Sequence, residues 1–203
     1  DWSSTLPKKN WSYFYPSVGV SWQFSETFGS KLGPINFGKI RLSWAQVGND
    51  TEPYRTRRYA RMNNGNVLPS LIDINPNLKS ETVTSYEVGL ELNAFNNRLG
   101  LDFAFYNKDA KDQIFAIPVS PTTGFFSKMI NAGKIRNRGI ELVLNGKPIV
   151  SKDFNWNVIF NFSKNTNEIV KLDNRIDEYL LSHSSYSKVL RIVAKEGGKF
   201  GDM

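Results

Sequence analysis

The chain has no cysteine and only one histidine in 203 residues. Without cysteine there is no disulfide, no thiolate metal site and no cysteine nucleophile. The lone imidazole, His183, stands among Ser182, Ser184 and Ser185. A catalytic triad needs a base oriented by a carboxylate and a serine on a strained turn, and no G-x-S-x-G elbow is present. P-loop, dinucleotide and H-E-x-x-H motifs are missing as well. Glu87 and Glu91 share one strand face at a separation of about 13 to 14 Å by strand rise, too far for either glycosidase geometry. Enzyme chemistry is not expected, and neither a cofactor nor a resident metal is implied. Nor does any run approach the ~20 apolar residues of a membrane helix. That absence leaves membrane strands open, because they carry hydrophobicity only in every second residue.

What the chain has is alternation. In 84–94, Tyr86, Val88, Leu90, Leu92 and Ala94 interleave with Ser85, Glu87, Gly89, Glu91 and Asn93. A strand sends successive side chains to opposite faces, so one face is apolar and the other wet. Across an expected tight turn at Asn96 and Asn97, the pattern resumes in Leu99, Leu101, Phe103 and Phe105, and this strand runs on to 117. Seven such stretches are expected, the others at about 13–25, 40–45, 134–146, 154–163 and 189–194. Val143 and Ile159 break the polar faces of the fifth and sixth.

The connections after the first, third and fifth strands span about ten, two and six residues, whereas those after the second, fourth and sixth run to roughly 20 or more. Long excursions are expected at 48–81, from Pro118 to the fifth strand, and at 165–188. A water-soluble meander has no reason to sort its loops by length, whereas a transmembrane barrel keeps short turns on the periplasmic side and long loops outside. The fold class read from this is all-β: an antiparallel transmembrane β-barrel segment. On that reading the apolar stripes face lipid, and Arg41, Glu87, Glu91, Asp102 and Glu141 face the wet interior; on an exposed sheet they would be solvated surface. Tyr13, Phe14, Tyr15, Phe24, Phe28, Phe95 and Trp156 lie near strand ends, where they suit interfacial girdles or an ordinary core rim.

Formal net charge is +7. Arg55, Arg57, Arg58 and Arg61, with Tyr54 and Tyr59 among them, form a basic aromatic stretch in the first long excursion. It can be a solvated loop, a contact for lipopolysaccharide phosphates, or a nucleic-acid surface. Tyr54, Tyr59, Phe125 and Phe126 are candidate contacts for sugar rings or for a covering protein, or else anchors of their own loops. Asp173, Asp177 and Glu178 could offer oxygens to calcium, but without EF-hand spacing they read as solvated acids.

Several blocks carry a family resemblance. Tyr15-Pro16-Ser17-Val18-Gly19-Val20-Ser21-Trp22, Ile40-Arg41-Leu42-Ser43-Trp44 running on to Gly48-Asn49-Asp50, and Ser85-Tyr86-Glu87-Val88-Gly89-Leu90-Glu91 with Asn97-Arg98-Leu99 occur in that order. They are followed by Tyr106-Asn107-Lys108 with Asp112-Gln113-Ile114, by Asn131-Ala132-Gly133-Lys134 running on to Arg138-Gly139-Ile140-Glu141-Leu142, and by Gly197-Gly198-Lys199-Phe200-Gly201. In this order the chain resembles the SusC/RagA-type TonB-dependent transporters of Bacteroidetes. The resemblance implies a slice of about seven strands from the later part of a 22-stranded, plugged barrel in the outer membrane. It also implies oligosaccharide or peptide import, a SusD-like surface lipoprotein, contact with lipopolysaccharide, and TonB acting through a region outside the slice. Residues 1–203 would all belong to one barrel domain, without its plug, N-terminal region or final strands. The opening Asp1-Trp2-Ser3 lacks a leader's features, and with the closing Gly201-Asp202-Met203 it leads to the expectation of a piece of a longer polypeptide. The alternative is a soluble β-sandwich that binds glycan through its aromatic loops. A nucleic-acid-binding β protein is a third reading, though nucleic acid is not the expected partner.

Overall fold

A computed structural model describes residues 2–53, 56–58, 60–173, 178–183 and 191–199. Its backbone is a broad antiparallel sheet in which β1 (Ser17–Trp22), β2 (Ile35–Asn49), β6 (Glu81–Ala94), β7 (Leu99–Pro118), β8 (Ser127–Val150) and β9 (Asn155–Lys171) lie side by side in that order. Between β2 and β6 run three short strands: β3 (Ala60–Asn63) and β4 (Asn66–Pro69), which pair with each other, and the two-residue β5 (Ile72–Asp73), which joins β8 in parallel. No helix among the described residues is long and apolar enough to cross a membrane, which leaves strand crossings untouched.

Register turns the alternation into rows. Trp22, Ile40, Leu90, Phe103, Leu142 and Phe162 are successive cross-strand partners, so one row of apolar side chains crosses the six strands. Directly opposed aromatic and branched side chains stabilise such ladders. The rows on either side repeat the pattern, as in Val20, Leu42, Val88, Phe105 and Ile140. Among the described residues nothing covers this face: Val18 is 61% exposed, Val88 44% and Phe160 52%. The buried core lies elsewhere, in small clusters toward the loop end, one around Ile117, Ile130 and Ala132 and another around Ile169, Leu172 and Ala194.

The upper margin of the apolar face slopes across the sheet. Its last apolar residues are Val18, Trp44 and Tyr86 in one row, Phe105 and Ile140 one row lower, and Phe162 one row lower again. Two rows are four residues, about 13 Å of strand, over five strand spacings of about 4.8 Å, so the strands tilt about 30° to the band. On β6 the band from Tyr86 to Ala94 is eight residue steps, about 27 Å along the strand and about 23 Å in height at that tilt. A membrane barrel's apolar girdle is about 25 Å tall.

All three short connections fall at one end. The link between β1 and β2 holds the five-residue helix α1 (Phe24–Phe28), β6 turns into β7 through 95–98, and β8 into β9 through 151–154. Phe95, Asn96 and Asn97 all have positive φ, and the Asn96 amide donates to Asn36 Oδ1 at 2.7 Å. In the second turn the Ser151 and Phe154 backbones are tied by an amide-to-carbonyl bond of 2.9 Å, and Ser151 Oγ accepts from the Phe154 amide at 3.0 Å.

Four expectations change. The first strand is shorter than 13–25, because the chain turns into α1 and the Phe24 ring lies against Gly38. The excursion after the fourth strand shrinks to 119–126, since β7 and β8 stay paired well beyond the apolar band. That ladder is unbroken from Leu99 opposite Gly146 to Pro118 opposite Ser127, except at the rung of Asp112 and Gly133, where both residues are left-handed with φ of 56° and 81°. The sixth strand runs past 163 to Lys171. The expected seventh strand is β11 (Arg191–Lys195), which pairs with β10 (Glu178–His183) and not with the wall. Five residues reach about 17 Å, short of a crossing that takes about 9 to 11 residues, and its Ala194 packs with Ile169, Leu172, Ile135 and Tyr179 instead.

Candidate functional site: a polar face and a loop cleft

The face opposite the apolar one carries the five residues expected to line a wet interior. Strand parity puts Arg41, Glu87, Glu91, Asp102 and Glu141 together on it, and register brings three of them into contact. Arg41 Nη1 donates to Glu91 Oε2 at 3.2 Å and Nη2 to Asp102 Oδ1 at 3.0 Å, so one guanidinium bridges two strands. Lys39 Nζ stands 2.8 Å from the same Glu91 oxygen. Lys39 was not singled out from the sequence, although its parity with Arg41 is the signal that would have found it.

The bridge depends on a missing side chain. Gly89 is the register partner of Arg41, and a Cβ there would sit 2.9 Å from Arg41 Nε and 3.1 Å from Nη2. The guanidinium therefore lies flat over Gly89 on its way to Asp102, which explains a glycine in mid-strand where glycine otherwise weakens a sheet. These charges are a third to half exposed, so each pair contributes less than about 1 kcal/mol. Glu87 and Glu141 are exposed on the same face. Glu87 is opposite Ser43 and Tyr106, and Glu141 opposite Ala104 and Ser163.

A second constellation sits at the long-loop end. The 50–80 connection and the β7–β8 tip come together, because Ile72 and Asp73 pair with Ser127 and Lys128 and the Phe126 amide donates to the Leu71 carbonyl at 2.9 Å. Asp73 receives Lys128 Nζ at 3.0 Å and Arg58 Nη2 at 3.3 Å. The hydrogen bond from Lys128 holds the Asp73 carboxyl below the usual carboxylate range, with Arg58 adding to it and burial working against both. Arg58 also lies 5.0 Å over the Phe125 ring. Between the β3–β4 hairpin and this tip opens a cleft of about 420 Å³ lined by Arg58, Ala60, Pro69, Ser70, Leu71, Gly124 and Phe125.

Of the four aromatic loop candidates, Phe125 is therefore half-buried on the cleft and Phe126 is 59% exposed beside it. Tyr54 and Tyr59 lie outside the described residues, as do Arg55 and Asp177. A planar cation over an aromatic ring can hold a sugar or a peptide group by stacking and hydrogen bonding. Nothing in sequence spacing announces that Arg58 and Phe125 meet, since loop closure alone joins them. The segment before β1 docks at this end too. Asn10 Nδ2 donates to the Leu78 carbonyl at 2.7 Å, and the Tyr13 hydroxyl donates to Asp50. Burial, seconded by that bond, pushes the Tyr13 phenol up to about 12.

The His183 backbone lies in β10 opposite Arg191, and among the described residues no cluster of three histidine or acidic side chains could hold a metal ion.

Comparison with known proteins gives a consistent picture. The family model described as TonB dependent receptor-like, beta-barrel matches residues 1–188. TonB-dependent receptor P3 of Formosa agariphila is 35% identical over 191 residues, covering 89% of this chain. TonB-dependent receptor SusC of Bacteroides thetaiotaomicron is 32% identical over 188 residues, covering 85%. Among solved structures, the RagAB peptide transporter superposes with a TM-score of 0.80 at 27% identity over 97% of this chain. The chain spans 19% and 18% of the two relatives and 22% of the transporter chain.

Proposed function

Because the chain belongs to the TonB-dependent receptor β-barrel family, we propose that it forms part of the wall of an outer-membrane receptor that imports oligosaccharide or peptide. Residues 1–203 are all barrel wall in this reading; the plug, the TonB-contacting region and the final strands belong to the rest of the receptor. The observation that carries it is the uncovered apolar face, continuous over six strands and backed by a charged one. In hydrocarbon every backbone polar group must be paired inside the protein, which a closed sheet achieves while presenting only side chains to lipid. A soluble sandwich would need a second sheet over Leu90, Phe103 and Leu142. Among the described residues the small β3–β4 and β10–β11 sheets lie at the loop end instead.

The polar face then lines the lumen, where Arg41, Glu91 and Asp102 hold adjacent strands in register and Glu87 and Glu141 meet solvent, plug or solute. The loop cleft faces outward. Its Arg58 and Phe125, with Phe126 beside them, are the residues that would meet a nutrient or a SusD-like lipoprotein lid. Passage through such a wall requires binding and release without covalent chemistry.

The test is made on the whole receptor in its own cells. Fractionation should place it in the outer membrane, and unheated samples should migrate faster on SDS gels than boiled ones. Deleting it should abolish uptake of a labelled oligosaccharide or peptide that wild-type cells import. Recovery as a monodisperse, detergent-free soluble protein would overturn the reading.

A further inference from the structure

Two carboxylates of the polar face have no counter-charge. Glu91 and Asp102 are held by Lys39 and Arg41. Among the described residues no cation stands at ion-pair distance from Glu87 or Glu141, and both are exposed. Register sets this pair around one aromatic ring. Tyr106 shares the polar face with Asp102 and Ala104; Glu87 is its partner on β6, and Glu141 lies one row lower on β8, opposite Ala104.

The ring is bedded on glycine. Gly139 is the β8 partner of Tyr106, and a Cβ there would stand 2.6 Å from Tyr106 Oη and 2.7 Å from Cζ. The phenol end therefore lies against the β8 backbone, as Arg41 lies over Gly89. Lys108 Nζ stands 5.2 Å over the ring, on an exposed side chain. Small residues keep the surroundings low: Ser43 is opposite Glu87, Ser163 opposite Glu141 and the exposed Asn165 opposite Gly139. This plate sits one row above Phe105 and Ile140, the last residues of the apolar band on β7 and β8. In the proposed orientation it stands near the outer end of the lumen.

We infer that the plate is a subsite for one sugar ring of a neutral oligosaccharide. This rests on the proposed import function and narrows the nutrient class left open there. A pyranose has an apolar C–H face and a rim of neighbouring hydroxyls. The tyrosine ring packs on the first, and Glu87 and Glu141 accept charge-assisted hydrogen bonds from the second. Charge then selects among solutes. Two unpaired carboxylates in a confined lumen repel uronates and sulfated sugars. Lys108 in turn keeps a ligand's own ammonium or guanidinium from the ring, where such a group would otherwise be drawn. A peptide backbone offers one N–H per residue and no run of adjacent hydroxyls, so it serves the pair of acids poorly. A tyrosine that only fills the gap over a strand glycine, beside two solvated acids, would show none of this selectivity.

The experiment uses the whole receptor, purified in detergent and titrated by calorimetry, with uptake by cells as a second readout. The probes are neutral hexasaccharides of glucose, galactose, mannose and xylose, glucuronate-bearing and sulfated oligosaccharides of equal length, and mixed octapeptides. At least one neutral sugar should bind and be taken up. Glu87→Gln/Glu141→Gln should weaken its binding about tenfold, as when hydrogen bonds to charged groups are lost, and raise the half-saturating concentration for uptake more than it lowers the maximal rate. Tyr106→Leu should also weaken binding about tenfold, whereas Tyr106→Phe keeps the ring and should bind nearly as the wild type does. Glu87→Lys/Glu141→Lys should admit the glucuronate-bearing sugar that the wild type refuses. Each variant is first checked for heat-dependent gel migration, so that binding is compared only on folded barrels. Neutral-sugar binding left unchanged by Tyr106→Leu and by both acid variants, or uptake of peptides or acidic glycans alone, would overturn the inference while leaving nutrient import in place. A receptor that takes up neither sugars nor peptides would overturn both readings.

Discussion

Phe103 and Ala104 are neighbours in the chain and opposites in the sheet. Phe103 stands on the apolar face between Leu90 and Leu142, near the middle of the band, and Ala104 stands on the polar face beside Glu141. Arginine placed at each position in turn therefore reads out the two environments. At the lipid midplane an arginine costs about 2 to 4 kcal/mol, and near zero where it meets water. Phe103→Arg also gives up the packing of a large aromatic, which moves the expected loss toward the upper end of that range. Ala104→Arg adds a charge directly opposite the exposed Glu141 carboxylate, which offsets the Arg41 guanidinium lying over Gly89 on the other side, so its cost should stay within about 0.5 kcal/mol, as at ordinary surface sites. The assay is reversible urea unfolding of the whole receptor in short-chain lipid vesicles, followed by tryptophan emission, with gel migration as a second probe. The midpoint should fall for Phe103→Arg and barely move for Ala104→Arg. Equal losses, or a larger loss at Ala104, would refute the assignment of faces and with it the membrane orientation.

Gly89→Val should push Arg41 off its path and break the bridge to Asp102, costing about 1 to 2 kcal/mol by overpacking; the same unfolding assay should show the cost shrinking when Arg41→Ala is already present. Asp73 has its carboxyl pKa lowered in the folded state, so its contribution to loop docking is present above the unfolded value of about 3.9 and is lost as pH falls through the lower folded value. The protection factors of the Ile72 and Phe126 amides, taken against the intrinsic rate at each pH, should therefore fall as pH drops through the folded value, and Asp73→Asn should show the lower protection at every pH. Tyr13, raised to about 12, favours the folded state below the unfolded value of about 10 and loses that contribution as pH climbs from there toward 12. Difference absorbance between wild type and Tyr13→Phe should show a tyrosine that ionises late.

The alternation in 84–94 and 98–105 translates directly into rows because the apolar band forces every second residue to be hydrophobic. Above the band that constraint lapses, and the ends of β7, β8 and β9 become illegible. In 113–118 and 127–132 both faces meet protein or water, and Ile114, Phe115, Ala116 and Ile117 follow one another without a period. The fate of 189–194 was hidden for a related reason: a short alternating run looks the same in a wall as in a hairpin. The polar face was readable by parity alone, and so were its five charged residues. Its contacts were not, because Arg41 reaches Asp102 across two strand spacings only where Gly89 leaves the way clear. The loop cleft was least accessible, since Phe125 could be named as an aromatic in a loop while its partner Arg58 comes from another connection altogether.

The β7–β8 pair is also a mechanical element. Below the rung of Asp112 and Gly133 it is clamped on both sides by neighbouring strands, and above that rung the pair runs on to a tip that carries Phe126 and is tied to Leu71. Bending stiffness along a ribbon of two hydrogen-bonded strands drops where paired residues leave extended backbone, so a load applied at the tip concentrates its torque at this one crossbar. A pull at the tip would bend the arm about Asp112 and Gly133 only once the ties that flank the rung gave way, from the Ile114 amide to Glu81 and from Asn131 to the Lys79 backbone and the Asp112 carbonyl.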